Sequence, residues 1–251
     1  MSDFATAGGH WYLPDGTPYY TLIGANGKER AVTLRDARKV MARPSVTGII
    51  RCAAAPQLEK WKRNQVLLSA LTLPHREDES EQAWLERVEQ DWQMQGRDAA
   101  DRGTAIHAAI ERHYRGEPTP DWWEWVKVAR DTLEAATGPQ GWSAERSFAG
   151  PDYGGKTDLH SLAWVIDAKT KDGELTDKNC TLWDEHSMQG AAYRHGLGIP
   201  QARVAILFVS RDVPQAKLVE IPEPDLEQGW AMFCGLLAYW QAKNRYSPKV
   251  G

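Results

Sequence analysis

The period of the apolar positions changes along the chain, and each change marks an element. Between His10 and Val32, short apolar runs alternate with turn residues: Trp11-Tyr12-Leu13, Pro14-Asp15-Gly16, Tyr19 to Ile23, Asn26-Gly27, then Ala31-Val32-Thr33. That spacing predicts a hairpin region. Leu34 to Met41 predicts a short basic helix, and Pro44-Ser45-Val46-Thr47 starts another with Ser45 as N-cap. Helical spacing continues over Pro56 to Leu71, Arg76 to Asp91 and Arg97 to Tyr114, where Gly116, Pro118 and Pro120 supply stop signals. Asp121 to Ala136 predicts one more helix, opened by Trp122, Trp123 and Trp125. Alternation then takes over, and Trp142 to Phe148, Gly155 to Leu162 and Trp164 to Lys169 predict three strands. A polar loop from Asp172 to Lys178 leads to a helix over Asp184 to Gly196. Arg203 to Ser210 predicts a buried strand, Ala216 to Ile221 an edge-like strand, and Leu226 to Lys243 a final helix.

Helices, three strands, then helix, strand, strand and helix make an α/β layered fold. Residues 1–96 read as a hairpin and helical extension packed on a core of residues 97–251, the whole forming one compact unit. Residues 1–9 read as loosely attached. There is no internal repeat, low-complexity tract or clear linker.

Composition adds boundaries. The 251 residues are 42% hydrophobic and 25% charged, enough apolar material for a substantial core. Met1 to His10 has neither a basic nor an apolar leader region, so no secretory signal is expected. The apolar run Val204 to Val209 is far too short to span a bilayer. Cys52, Cys180 and Cys234 are scattered, which fits a reducing cytoplasm and cannot supply four thiolates for an iron–sulfur cluster or a Cys₄ zinc site. The net charge is −4, but Lys28 to Arg63 alone carries +7, leaving −11 elsewhere. Such a basic flank on an acidic chain suits either phosphate binding or a solvated surface.

The candidate chemistry centres on Glu145 to Lys169. Residues two apart on a strand share a face, so Asp167 and Lys169 point one way and Ala168 the other. Asp158, one strand earlier, can face Asp167 across the hairpin. Two carboxylates on one sheet face repel each other, and a divalent cation with oxygen ligands, Mg²⁺ or Mn²⁺, would relieve that repulsion. A solvated hairpin with an Asp–Lys pair is the plainer reading of the same tripeptide. On the helix before the strands, His107 and Glu111 share a face at four-residue spacing, and on the helix after them so do Gln189 and Tyr193. The small Gly190, Ala191 and Ala192 between the latter pair suit close packing or a ligand's close approach.

His107, Gly155-x-x-Asp158, Asp167-x-Lys169 and Gln189-x-x-x-Tyr193, in that order on helix, strand, strand and helix, resemble the RecB-type branch of the PD-(D/E)xK nuclease superfamily. Within it the chain is most similar to phage and mitochondrial-genome-maintenance-type exonucleases. Pro44-Ser-Val-Thr-Gly-Ile-Ile50 resembles the segment those proteins place before their first helix. The resemblance covers about Arg43 to Gly196 and implies a restriction-endonuclease-like core, with a central mixed sheet flanked by helices.

It also implies roles. His107, Asp158, Asp167 and the carbonyl of Ala168 would ligate one or two Mg²⁺ or Mn²⁺ ions. Lys169 would be the catalytic lysine, while Gln189 and Tyr193 would steady the lysine or the DNA. Glu145 and Glu111 are secondary acidic candidates, and Ser45, Thr47, Arg51 and Lys171 are candidates for substrate contact. The C-terminal cysteine cluster that holds an iron–sulfur centre in some relatives is absent, and so is a Gly-x-x-x-x-Gly-Lys-Ser/Thr ATP motif. The implied activity is a metal-dependent DNA exonuclease, acting at ends or on single strands in recombination, repair or phage replication. The implied setting is the cytoplasm of a bacterium or phage-infected host, with a single-strand annealing or recombination protein as partner. A structure-selective endonuclease, a catalytically silent nucleic-acid-binding subunit and a ribonuclease remain alternatives. Lys169 could act as base or as electrostatic stabiliser. The three tryptophans at 122, 123 and 125 could stack on unpaired bases or belong to the core.

Overall fold

The run from Val204 to Ser210 is buried at every position, which a strand achieves only with helices on both of its faces. In the computed structural model, which describes residues 9–54 and 56–248, this strand is β8 (Arg203–Ser210). It lies in a five-stranded sheet with β5 (Ser143–Ala149), β6 (Gly154–His160), β7 (Trp164–Lys171) and β9 (Ala216–Glu220), ordered β5-β6-β7-β8-β9. Neighbours are antiparallel except β7 and β8, which are parallel and connected through helix α6 (Asp184–Gly196). The fold is therefore mixed α/β, with a central mixed sheet flanked by helices.

Alternation along β8 divides the core in two. Val204, Ile206 and Phe208 join the cluster under α6 and the final helix α7 (Glu223–Asn244). Ala205, Leu207 and Val209 join the opposite cluster, under α4 (Glu81–Tyr114) and α5 (Trp123–Thr137). Glycines let the α6–α7 layer close. A methyl group at Gly229 of α7 would lie 2.5 Å from the backbone of Ser187 in α6, and one at Gly190 would lie 2.4 Å from Val204.

The N-terminal region departs from the expected hairpins. β2 (Thr21–Ile23) and β3 (Glu29–Ala31) do pair around the Asn26-Gly27 turn. β1 (Trp11–Tyr12), however, pairs with β4 (Arg43–Pro44), which the pattern assigns to no strand. Pro44 tolerates this because the ladder is two-stranded, so its missing N–H forfeits little. After α1 (Leu34–Lys39), Ser45 caps α2 (Val46–Ile50) as expected, its Oγ accepting from Gly48 N at 3.0 Å. α3 (Pro56–Thr72) follows. The expected pair of helices over 76–91 and 97–114 is one continuous helix, the 34-residue α4, with Ser80 as N-cap. Gly96 alone does not end it, since a mid-helix glycine costs only about 1 kcal/mol relative to alanine and no proline or capping residue follows. Residue 96 thus lies inside α4. The expectation for residues 1–9 falls, apart from Gly9, outside the described residues. Among the described residues no helix is long and apolar enough to cross a membrane.

The closeness of α6 and α7 makes a direct prediction. Gly229→Ala has to push two helix backbones apart and destabilises by about 1–3 kcal/mol. A urea titration should show a lower midpoint at unchanged slope.

Candidate active site

The antiparallel register of β6 and β7 pairs Leu159 with Ile166 and His160 with Val165. One step further along both strands stand Asp158 and Asp167, on the same face because each alternates with a residue of the opposite core layer. The Ala168 N–H donates to Asp158 Oδ2 at 2.7 Å, which ties the two strands together at the carboxylates. Asp167 is 4% exposed.

α6 delivers the partner of this pair. Gln189 is buried, and its amide meets both members of the Asp-x-Lys motif. Nε2 donates to Asp167 Oδ1 at 2.8 Å and to the Tyr193 hydroxyl at 2.9 Å. Oε1 accepts from Lys169 Nζ at 3.3 Å. A primary amide suits this position because it offers a donor to the carboxylate and an acceptor to the ammonium. Lys169 Nζ also lies 2.7 Å from Asp167 Oδ2 as an ion pair. That oxygen is buried, and the ion pair with Lys169 is its partner. The small residues beside Gln189 serve packing: Gly190 abuts Val204, and Ala191 and Ala192 are fully buried.

α4 closes the site from the other side. A Cβ at Gly103 would stand 2.7 Å from Thr170 Oγ1, so glycine lets α4 settle on the end of β7 without moving that hydroxyl. This contact brings His107 and Glu111 over the carboxylates. The result is a cleft of ≈ 660 Å³ lined by Gly103, Thr104, His107, Glu111, Glu145, Lys156, Asp158, Ala168, Lys169 and Thr170, with Ala100 and Ala108 at its border.

The electrostatics of the cleft are unbalanced. Burial, joined by the charge on Asp167, pushes the Asp158 carboxyl up to about 7 against the opposing pull of the Ala168 N–H and Lys169. Burial and then contact with Glu145 push Glu111 up to about 8. Burial also opposes ionisation of Glu145, but its bonds to Lys156 and Glu111 and the charge of Arg115 hold it below the usual carboxylate range. Burial likewise disfavours the Lys169 ammonium, yet Asp167 overcomes this and raises it. His107 is lowered by burial, with Asp167 opposing and Lys169 reinforcing. Glu145 sits on β5 at φ 53°, a left-handed conformation that costs a non-glycine residue about 1–3 kcal/mol.

The structure brings His107, Glu111, Glu145, Asp158, Ala168 and Lys169 to one cleft, with Asp167, Gln189 and Tyr193 bonded into its support. Other candidates stand apart from the lining. Ser45 spends its hydroxyl on the α2 cap, Thr47 lies beside it, and Arg51 is exposed at the end of that helix. Lys171, two residues past Lys169, has left the cleft and lies over the Phe208 ring at 5.3 Å. Trp122 and Trp125 pack edge to face at 5.3 Å, with Arg102 over both rings and Trp125 Nε1 donating to Ser210 O. They brace α5 against β8, while Trp123 is 45% exposed. The sequence reading omits Lys156 and Arg115, the two cations on Glu145. Lys156 was discoverable, because it stands two residues before Asp158 and so shares its face.

The donor chemistry suits a hard divalent cation in kind: two adjacent carboxylates and an imidazole held toward its neutral form. Among the described residues, no three His, Cys, Asp or Glu side chains are gathered closely enough to hold a metal ion. Asp158 and Asp167, with His107 across the cleft, are the groups that would have to move together to hold one.

No family model matches this chain. No curated protein matches it either. Among solved structures it is similar to a "Putative exonuclease" from Eubacterium rectale, at 11% identity and TM-score 0.42, covering 57% of this chain and 68% of that one. It is also similar to SSO0001, at 18% identity and TM-score 0.29, covering 47% of this chain and 57% of that one. Likenesses of this size carry no argument about activity, so the functional reading rests on the site.

The raised Asp158 carboxyl has a measurable consequence. A carboxyl whose folded pKa exceeds its unfolded value favours folding at low pH, and that contribution is lost as pH rises toward about 7. Asp158→Asn keeps the acceptor for Ala168 N–H and removes the charge. In EDTA it should raise Tm at pH 8 by about 3–6 °C and leave Tm at pH 4 unchanged, as read by differential scanning fluorimetry.

Proposed function

We propose that this chain is a divalent-cation-dependent deoxyribonuclease that hydrolyses phosphodiester bonds as an exonuclease, at DNA ends or on single strands. The observation that carries the reading is the Gln189 amide, which holds Asp167 and Lys169 in one arrangement beside Asp158 at the edge of an open cleft. A buried carboxylate pair with an ammonium at 2.7 Å is costly to assemble, and this one faces solvent through the cleft rather than a packed core.

Phosphodiester hydrolysis requires in-line attack of water on phosphorus, departure of the opposite oxygen, and neutralisation of charge on the phosphoryl oxygens. Asp158 and Asp167 would hold Mg²⁺ or Mn²⁺ with His107 completing the set, and the bound ion would supply water activation and charge neutralisation. Lys169 places a positive charge where the phosphoryl oxygens accumulate negative charge. Gln189 fixes the direction of that ammonium and of Asp167. Tyr193, whose hydroxyl accepts from Gln189, fixes Gln189 in turn. Lys156 and Arg115 balance the charge of Glu145, and Lys156 does so from the cleft lining.

A second reading is favoured by the spacing of the ligating groups: with no three of them gathered among the described residues, the chain would be a silent DNA-binding subunit. Degradation of end-labelled linear DNA in Mg²⁺, Mn²⁺ or EDTA separates the two. The nuclease reading expects metal-dependent loss of label, reduced about 10²–10³-fold by Lys169→Ala and by Asp167→Asn. Gln189→Ala should give a smaller loss, expressed in kcat more than in KM. A closed single-stranded circle should resist the exonuclease, and cutting of the circle would make it an endonuclease. DNA binding without cleavage in either metal would establish the silent subunit.

A further inference from the structure

The N-terminal segment is attached to β6, the strand that sends Lys156 and Asp158 into the cleft. Ser45 N donates to His10 O at 3.0 Å, and Ser45 forms a parallel bridge with Gly154, two residues before Lys156. A Cβ at Gly154 would lie 2.7 Å from the Tyr12 Cβ, so the backbone of β6 runs directly beneath β1. His10 and Tyr12 are thereby fixed to the strand that carries Lys156 and Asp158.

On this base stands a small aromatic stack. The His10 and Tyr20 rings lie face to face, 4.5 Å apart at 26°. Tyr12 meets Tyr20 edge on at 5.8 Å, and the two hydroxyls are 2.8 Å apart. Tyr20 is thus braced from the side, while His10 is an exposed residue on top of it. Two cations lie near this stack: Arg51, and Lys156, which is ion-paired with Glu145. Arg51 and Lys156 are both close enough for their charges to act on the His10 ring, and with burial they keep it toward the neutral form. Arg51 has no carboxylate partner among the described residues, and Lys156 lines the cleft.

We propose that His10, stacked on Tyr20, is a seat for an unpaired nucleobase, and that the attached strand runs over Arg51 and Lys156 into the cleft. A flat aromatic ring with an open face beside two cations is what an unpaired nucleotide needs, since every base has a π-face and every nucleotide a phosphate. A paired base inside a duplex offers no such face. The ligand class is therefore single-stranded or frayed DNA, and the proposal rests on the nuclease reading for the choice of substrate.

The test uses the full chain carrying Lys169→Ala, so that binding is read without cleavage. The probes are a fluorescein-labelled single-stranded oligonucleotide and the same oligonucleotide with abasic residues near the unlabelled end, followed by fluorescence anisotropy in Mg²⁺. Stacking of one base corresponds to about 5- to 100-fold in affinity. His10→Ala should weaken binding of the intact oligonucleotide within that range, and His10→Phe should restore it to within about twofold. The abasic probe should bind the parent more weakly than the intact probe, and His10→Ala should bind both equally. His10 is exposed, so its replacement leaves the fold intact. Equal affinity of parent and His10→Ala for the intact probe overturns the base seat while leaving the nuclease reading standing. An abasic penalty that persists undiminished in His10→Ala does the same. Failure of the parent to bind any DNA overturns both.

Discussion

The structure turns on two carboxylates that the β6–β7 register forces together. Asp158 and Asp167 stand side by side on neighbouring strands of the sheet, and burial sharpens their repulsion. Three groups make the arrangement tolerable: the Ala168 N–H on Asp158, the Gln189 amide on Asp167, and the Lys169 ammonium beside Asp167 Oδ2. Two of them come from β7 and one from α6, so the pair exists only when the β6–β7 hairpin and α6 are both in place. A charge pair of this kind contributes little net stability.

Close approach of the layers is what gives the site its depth. Gly103 lets α4 rest on Thr170, and Gly190 and Gly229 let α6 sit close to β8 and α7. The first brings His107 and Glu111 over the carboxylates, and the second carries Gln189 under them. The strained backbone at Glu145 belongs to the same construction. Its left-handed conformation turns a carboxylate from β5 toward Lys156, Arg115 and Glu111, where a regular strand would have pointed it elsewhere.

Much of this was legible in the sequence where local pattern and tertiary role agree. β8 and α6 have the boundaries that periodicity predicts, because a strand buried on both faces and a helix rich in small residues leave strong signals. The alternation rule placed Asp158, Asp167 and Lys169 on one face, and the four-residue spacing placed Gln189 with Tyr193. What escaped depends on partners distant in sequence. The two-residue β4 has no period of its own and exists through its pairing with β1. The continuity of α4 through Gly96 reflects the absence of a terminating partner. The role of Arg115 follows from the φ of Glu145, which no spacing encodes. Lys171 shows the reverse case: alternation puts it on the face of Lys169, but by that point the strand has passed the cleft and the side chain covers Phe208.

The proposal at the centre of this account is that the carboxylate pair awaits a divalent cation. The most direct measurement is Mn²⁺ binding to the full chain by electron paramagnetic resonance, compared with Asp167→Asn and Asp158→Asn at pH 8. The account predicts at least one Mn²⁺ bound per chain at sub-millimolar concentration by the parent, with both substitutions abolishing it. Equal binding by all three proteins, or none by the parent up to several millimolar, would contradict it.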